Sequence, residues 1–443
     1  MERKIEIVSM EFIRPLFHTP NHLKCFEYSF LDQTGIPLYA PLALFFPPPI
    51  DAGESYSYEQ ARSVNSSRLL VLKKSLSETL ARFYPFAGRI KDNCSIECND
   101  EGVPFYEAFA LNYEFESVLR NPELSEDFLP SAVVEDGSLI FHNSTLYPLL
   151  VQVTIFKCGA MAICMGVFHQ VADGATLYTL ANAWGITARG SSCNDSSELV
   201  AAAKFLPPPI PYVSNVPNLQ LEFTKFFCNE QRVAKLFTFD ASTIASLKAK
   251  AVSDDVPKPT RVEAVSALIW KCVMVATNLG PSKLAHLVNI RKRFVPPLPN
   301  HCVGNAVAVA TAACKGAENM DGSDLATLVT CIRKSLIELS SKYVEKHSRD
   351  EAILAIPYDF MELIPAQIRG EVGVQISSLC GYQFYDVDFG WGKPSWLTVN
   401  QKAMRDFVLL MDSRDSRGID AWICLKDSNT MSVFKHELEQ LLA

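Results

Sequence analysis

The sequence predicts a mixed α/β protein (α/β or α+β, with mixed sheets) built as two domains. Three observations predict this. The chain has 443 residues, more than one hydrophobic core usually organises. Period-2 and period-3.6 patterns both occur in each half, so strands and helices mix throughout. Between the halves, residues 191–222 carry Ser191, Ser192, Ser196 and Ser197, then Pro207, Pro208, Pro209, Pro211 and Pro217. Proline stiffens a linker and resists both helix and central strand. Hydrophobic residues make up 48% of the chain and charged residues 20%, which excludes a disordered polymer.

In chain order, Leu69, Leu72, Leu76, Leu80 and Phe83 recur at helical spacing and predict a helix over 69–83. Tyr84-Pro85 stops that helix, and Gly88 allows a turn before Arg89. Residues 149–156 alternate, with β-branched Val151, Val153 and Ile155, and read as a strand. Gly159 marks a turn, and the apolar run 161–168 is its hairpin partner, ending at His169. A helix then follows, with Leu177, Leu180 and Trp184 on one face and Gly190 near its end. The Pro/Ser-rich connector sets a first domain over 1–195, a crossover over 196–222 and a second domain over 223–443. In the second domain an apolar stretch covers 262–273. Leu325, Leu328, Ile332, Leu336 and Leu339 predict a helix, 407–411 and 421–425 short strands, and Met431, Phe434, Leu438 and Leu441 a closing helix.

The formal net charge is -8, and no basic arm or stripe appears, which argues against a nucleic-acid partner. An acidic chain that binds an anionic ligand must gather its positive charge locally. The N-terminus, Met1 to Glu6, is charged and has no apolar signal core. No apolar run reaches the ~20 residues that span a bilayer. The thirteen cysteines therefore read as reduced thiols of a cytoplasmic protein. None forms a CxxC pair, so no metal is expected. Asn-x-Ser/Thr sequons at Asn65, Asn93, Asn143 and Asn194 read as unused.

Two motifs carry the chemistry. In His169-Gln170-Val171-Ala172-Asp173-Gly174 the histidine closes an apolar strand and precedes a helix led by Gly174, a junction that exposes side chains on a rigid scaffold. Deprotonating an alcohol near neutral pH needs a base of ambient pKa, which imidazole supplies. Asp173 admits two readings: a carboxylate orienting the base, or a structural carboxylate paired with an arginine, the second favoured because helix geometry does not aim it at the ring. The second motif is Asp388-Phe389-Gly390-Trp391-Gly392, followed by Lys393-Pro394. The glycine-rich and His-Arg-Asp loops of protein kinases are absent. Two glycines around a tryptophan predict a tight turn locked by a buried ring.

HxxxD followed by DFGWG resembles the BAHD acyltransferases, a plant family of CoA-dependent enzymes. The likeness extends over essentially the whole chain: residues 84–89, 99–105, Val288 to Arg291, Pro296 to Pro299 and Gly304-Asn305 look like family signatures. The stretch 384–394 looks closest to its alkaloid-acetylating branch.

The resemblance implies two chloramphenicol acetyltransferase-like domains with a central solvent channel, His169 at its middle. A segment near 388–408 would cross back onto the first domain. His169 would be the general base, with Asp173 turned away and paired with Arg291, and the loop of Asp388, Phe389, Gly390, Trp391 and Gly392 would support the fold. Lys258, Thr260, Arg261 and Asn305 match positions that contact CoA. Arg291, Lys292 and Arg293 are the densest positive cluster nearby. The oxyanion would need hydrogen-bond donors. Relatives often carry Ser/Thr-Ser-Trp there, but this chain has Ser377-Ser378-Leu379, which leaves Ser377 as the oxyanion donor without an indole N–H. No G-x-S-x-G elbow is present, which fits direct transfer without an acyl-enzyme.

The expected protein is a cytoplasmic monomer without a permanently bound cofactor. It would use acyl-CoA, acetyl-CoA first, on a small alcohol such as an alkaloid. The alternatives are an N-acyltransferase, use of an aromatic or malonyl donor, and a binding protein with degraded catalysis. His301-Cys302-Val303-Gly304-Asn305-Ala306 departs from the Tyr-Phe-Gly-Asn-Cys of malonyl-using relatives.

Overall fold

The computed structural model describes residues 4–33, 35, 38–49, 55–92, 94–130, 147–191, 199–207, 232–278, 282–299, 301–314, 325–344, 362–363, 366, 369–399 and 406–443. Most of the proline-rich connector, and the sequons at Asn93, Asn143 and Asn194, lie outside them. The chain divides into two compact units. The first holds Met1–Val216, Pro299–Asn305 and Gln383–Asn400, and the second Pro217–Leu298, Ala306–Tyr382 and Gln401–Ala443.

The first unit is organised by a six-stranded sheet in the order Lys4–Ile13, Val103–Leu111, Leu149–Phe156, Met161–Phe168, Tyr39–Phe46, Trp396–Val399. Val103–Leu111 and Leu149–Phe156 run parallel, and the other neighbours are antiparallel. Leu149–Phe156 and Met161–Phe168 are buried at every position, the pattern of strands covered on both faces. The Gln152 amide nitrogen of the first strand is satisfied inside: Nε2 donates to Phe128 O (3.3 Å) and Thr154 Oγ1 (3.1 Å). Helix Ser66–Arg82 buries Leu69, Leu72, Leu76 and Leu80. Helix Gly174–Ala188 buries Leu177, Leu180 and Trp184. The Trp184 indole ties the two together by donating to Leu72 O (3.2 Å) and Ser75 Oγ (3.0 Å). Asn65 is fully buried, its amide donating to Ala61 O and Gly159 O at 3.0 Å each.

The second unit has its own six-stranded sheet, in the order Val233–Phe239, Ile419–Leu425, Phe407–Asp412, Val372–Ser378, Lys283–Asn289, Val307–Ala313. Helix Arg261–Thr277 packs with Leu325–Val344 and Ser428–Leu442. Trp270, Leu268, Ile332, Phe434 and Leu438 of these helices share one core with Ile376, Val408 and Ile423 of the sheet. The apolar stretch over 262–273 lies in a helix that continues to Thr277, where Asn278 closes it at φ 47°.

Two segments C-terminal to the crossover sit in the first unit: one inside the stretch assigned by sequence to the second domain, the other overlapping the segment near 388–408 expected to cross back. Pro299–Asn305 is one, anchored by Asn305 on Asp32. Gln383–Asn400 is the other, where Trp396–Val399 pairs antiparallel with Val399↔Leu42 to Trp396↔Phe45. Phe407–Asp412 belongs to the second unit because it pairs with Val372–Ser378 and Ile419–Leu425.

Candidate active site

His169 follows the last residue of strand Met161–Phe168, and its main chain is fixed on both sides. Its N–H donates to Leu38 O at 2.7 Å. Its carbonyl accepts from Asn305 Nδ2 at 2.9 Å. The preceding ring, Phe168, meets Tyr39 edge-on at 5.6 Å. The His169 side chain itself is half-buried, neither walled off nor free in solvent. Its Nδ1 is buried and meets no hydrogen-bond partner among the described residues. A buried polar atom without a protein partner is uncommon.

Asp173 does not orient the ring through Nδ1. It is buried and is the N-cap of Gly174–Ala188, with Oδ1 accepting Thr176 N at 2.9 Å. An acidic N-cap satisfies a free helix N–H and complements the helix dipole. Thr176 Oγ1 in turn donates to Gly304 O at 3.0 Å. The capped helix thus holds Gly304-Asn305, and Asn305 holds His169. Gly304 has φ 123°, and a Cβ there would lie 2.7 Å from Ala202 Cβ and 2.9 Å from Asp32 Oδ2.

Asn305, expected among the CoA contacts, is buried, with its amide committed within the protein. Nδ2 lies 2.9 Å from Asp32 Oδ1, 2.9 Å from His169 O and 3.0 Å from Gln170 O. Asp32 was missed by sequence reasoning. Its only local sign is the Ser29-x-x-Asp32 spacing, which closes a turn through Ser29 N and Oγ. Burial holds the Asp32 pKa up at about 6, against the lowering effect of the Ser29 and Asn305 donors.

The DFGWG loop is a tight turn closed by its aspartate. Asp388 Oδ1 accepts Gly390 N (2.7 Å) and Gly392 N (2.9 Å), and these glycines have φ 106° and 102°. The locking ring is Phe389, not the tryptophan. Phe389 is fully buried and meets Trp184 at 4.9 Å and Phe46 at 5.7 Å, while half-buried Trp391 stacks on it at 5.7 Å. Arg68 covers the Trp391 face at 5.4 Å, and Arg189 donates to Asp388 O.

In the second unit, Lys258 is exposed. Thr260 is the N-cap of Arg261–Thr277 in a capping box with Glu263. Arg261 donates to Ser416 O (3.2 Å), Gly418 O (3.4 Å) and Asp412. Arg291 is buried, its N–H on Asn289 Oδ1 at 3.0 Å. Lys292 is exposed, whereas Arg293 bonds Leu336 O and Ser340 within the unit. Ser377 is half-buried near the end of strand Val372–Ser378. Leu379 N donates to Leu410 O at 2.7 Å. Among the described residues no group of His, Cys, Asp and Glu is arranged to hold a metal, and no helix is long and apolar enough to cross a membrane.

A mixed-sheet fold in two units, with a strand-terminal HxxxD histidine clamped by its main chain, defines a chloramphenicol acetyltransferase-like acyltransferase. Residues 3–441 match the Transferase family, and the chain belongs to that family, the BAHD acyltransferases. It is 36% identical to limonoid 7-O-acetyltransferase of Citrus sinensis, over 98% of this chain and 97% of that protein. It is 34% identical to vinorine synthase of Rauvolfia serpentina, over 100% and 99%. The crystal structure of vinorine synthase superposes with a TM-score of 0.78 at 31% identity, covering 99% of this chain and 98% of that one. The structure of F. graminearum TRI101 complexed with ethyl coenzyme A shares the fold, with a TM-score of 0.68 at 14% identity, covering 93% and 97%.

Proposed function

We propose that this protein transfers an acetyl group from acetyl-CoA to a hydroxyl of a plant specialised metabolite, of the alkaloid or limonoid kind, with His169 as general base. The observation that carries the reading is the His169 ring: half-buried, rigidly mounted at a strand end, with Nδ1 lacking a protein partner. Similarity to the O-acetylating relatives over nearly the full chain supports the donor and the acceptor class. TRI101 was crystallised with coenzyme A compounds, in line with an acyl-CoA co-substrate here.

The reaction needs few parts. His169 takes the acceptor O–H proton as that oxygen attacks the thioester carbonyl. The C–S bond then breaks, and the protonated ring returns its proton to the departing thiolate. Each donor aimed at the oxyanion lowers the barrier by about 3 kcal/mol, and Ser377 is the proposed donor. Lys258, Thr260 and Arg261 are proposed to contact the CoA moiety, with Lys258 supplying an exposed cation for phosphate. The protein would act as a monomer in the cytoplasm.

The test is purified protein with acetyl-CoA and a panel of alkaloid and limonoid alcohols, followed by free-thiol release and product mass. His169→Ala is expected to lower kcat by at least about a thousandfold while CoA still binds in calorimetry. Wild-type turnover in that variant would remove His169 from the mechanism. In the same assay, Ser377→Ala is expected to lower kcat about a hundredfold. Ligand binding without thiol release by the wild type would favour a binding protein, the reading prompted by Leu379.

A further inference from the structure

The least expected feature of the first unit is a fully buried carboxylate beside the His169 main chain. Asp32 is 1% exposed. Its Oδ2 accepts Ser29 N (2.9 Å) and Ser29 Oγ (2.6 Å), and its Oδ1 accepts Asn305 N (2.6 Å) and Asn305 Nδ2 (2.9 Å). Among the described residues no cation pairs with it. A site that only had to be filled would be served at least as well by an apolar side chain, because removing an acid from water is costly. What the acid does here is fix an amide that must also serve the two carbonyls at His169 and Gln170, at 2.9 and 3.0 Å.

Two hydrogens on Asn305 Nδ2 thus face three acceptors, and the Asp32 bonds set how the amide plane lies. The surroundings leave no slack. A Cβ on Gly304 would strike Ala202 and Asp32, and one on Gly35 would come 3.1 Å from Gln170 Cα. On its amino side His169 is already held by Leu38 O at 2.7 Å. Its carbonyl side is held by Asn305.

We propose that Asp32 and Asn305 are paired positioning residues that fix the main chain at His169 and thereby aim its imidazole; this rests on His169 being the general base. The pair touches no reacting atom. Its effect is on the alignment of a base whose misplacement by about 1 Å can cost a hundredfold in rate. Asn305 in this role is not a CoA contact, so the pair should govern kcat and leave donor affinity alone.

The test measures kcat, KM for acetyl-CoA and calorimetric CoA stoichiometry in the full-length protein for Asn305→Ala, Asp32→Ala, Asp32→Asn and His169→Ala. Both alanine variants at 32 and 305 are expected to bind one CoA per chain with KM within about threefold of wild type, and to lose about a hundredfold in kcat. Asp32→Asn should recover part of the kcat lost in Asp32→Ala. Its amide can keep an oxygen toward Asn305 and turn its NH₂ toward Ser29 Oγ, which can accept; the Ser29 N–H bond is then lost, so the recovery is partial. Should Asn305→Ala fail to fold, Asn305→Ser replaces it and is expected to show the same kcat loss, since its short hydroxyl cannot bridge to both carbonyls.

A merely structural role would lower stoichiometry and kcat together, leaving kcat per binding site within about threefold of wild type, and that result overturns the proposal. Equal kcat in Asp32→Asn and Asp32→Ala, both folded, also overturns it. If His169→Ala is inactive while Asn305→Ala turns over normally, only the positioning role falls. If His169→Ala turns over normally, the general-base reading falls with it.

Discussion

Single residues separate two uses of glycine. Gly304 needs its positive φ and also has no room for a Cβ, whereas Gly390 has φ 106° and nothing within 4 Å. Gly390→Ala should therefore cost only conformational strain, about 1–2 kcal/mol. Gly304→Ala adds a clash with Ala202 and Asp32 and should cost more, about 3 kcal/mol, with a fall in kcat because the strike lands on the Asp32–Asn305 pair. Urea unfolding of both variants checks the order, and equal losses would refute the steric account. At this scale the sequence was half legible. His169 and Gly304-Asn305 announced themselves as motifs, but a motif carries no direction: the Asn305 amide points at Asp32 and at the main chain of His169. Asp32 was illegible because its partner is 273 positions away and no periodicity links them. Asp173 was readable as structural, and its N-cap bond to Thr176 agrees with the favoured distribution of Asp at helix starts.

Elements were legible wherever one residue type dominated a run. Strands Leu149–Phe156 and Met161–Phe168 and helices Gly174–Ala188 and Ser428–Leu442 follow the apolar periods that predicted them. Strand Lys4–Ile13 was not singled out, since most of its residues are exposed and it mixes Lys4, Glu6, Ser9 and Glu11 among its apolar positions. The DFGWG turn shows how a motif can mislead about its own core. The eye goes to Trp391, but the residue the element depends on is Phe389, packed against Trp184, Phe46 and Trp391. Phe389→Ala should destabilise the protein by about 3–5 kcal/mol, and Trp391→Ala by less, because its ring is half-buried. Thermal unfolding distinguishes them. Well below the melting temperature, kcat per CoA-binding site should be unchanged in both, since neither side chain joins the hydrogen-bond chain to His169.

On the scale of the whole molecule, two buried ionisable groups give proton linkage of opposite sign. In the first unit, burial raises the Asp32 pKa from 3.8 to about 6. The folded state then binds the proton more tightly than the unfolded one, so this group's contribution is fully present below pH 3.8 and is lost as pH rises through about 6. In the second unit, burial lowers the His286 pKa from 6.5 to about 4, with Glu263 opposing, and Ser266 Oγ lies 3.1 Å from its Nε2. Its contribution is present above pH 6.5 and is lost as pH falls toward about 4. Each is worth about 3 kcal/mol across its window. Unfolding free energies at pH 4.5, 5.5, 6.5 and 7.5 should therefore show a shallower acid loss in His286→Gln and a steeper one in Asp32→Asn; identical slopes in all three proteins would refute the assignment. The return of the chain to the first unit was legible only through the family resemblance, because strand pairing between Phe45 and Trp396 leaves no local trace in the residues themselves. That pairing also has a temporal side. On the ribosome, the edge of Tyr39–Phe46 must wait for Trp396–Val399 to emerge, a delay of about 20–70 s at ordinary elongation rates. Until then the N-terminal half carries an open apolar strand edge and lacks the asparagine behind its histidine, so a fragment ending at the crossover is expected to aggregate rather than fold, which a solubility assay of that fragment checks.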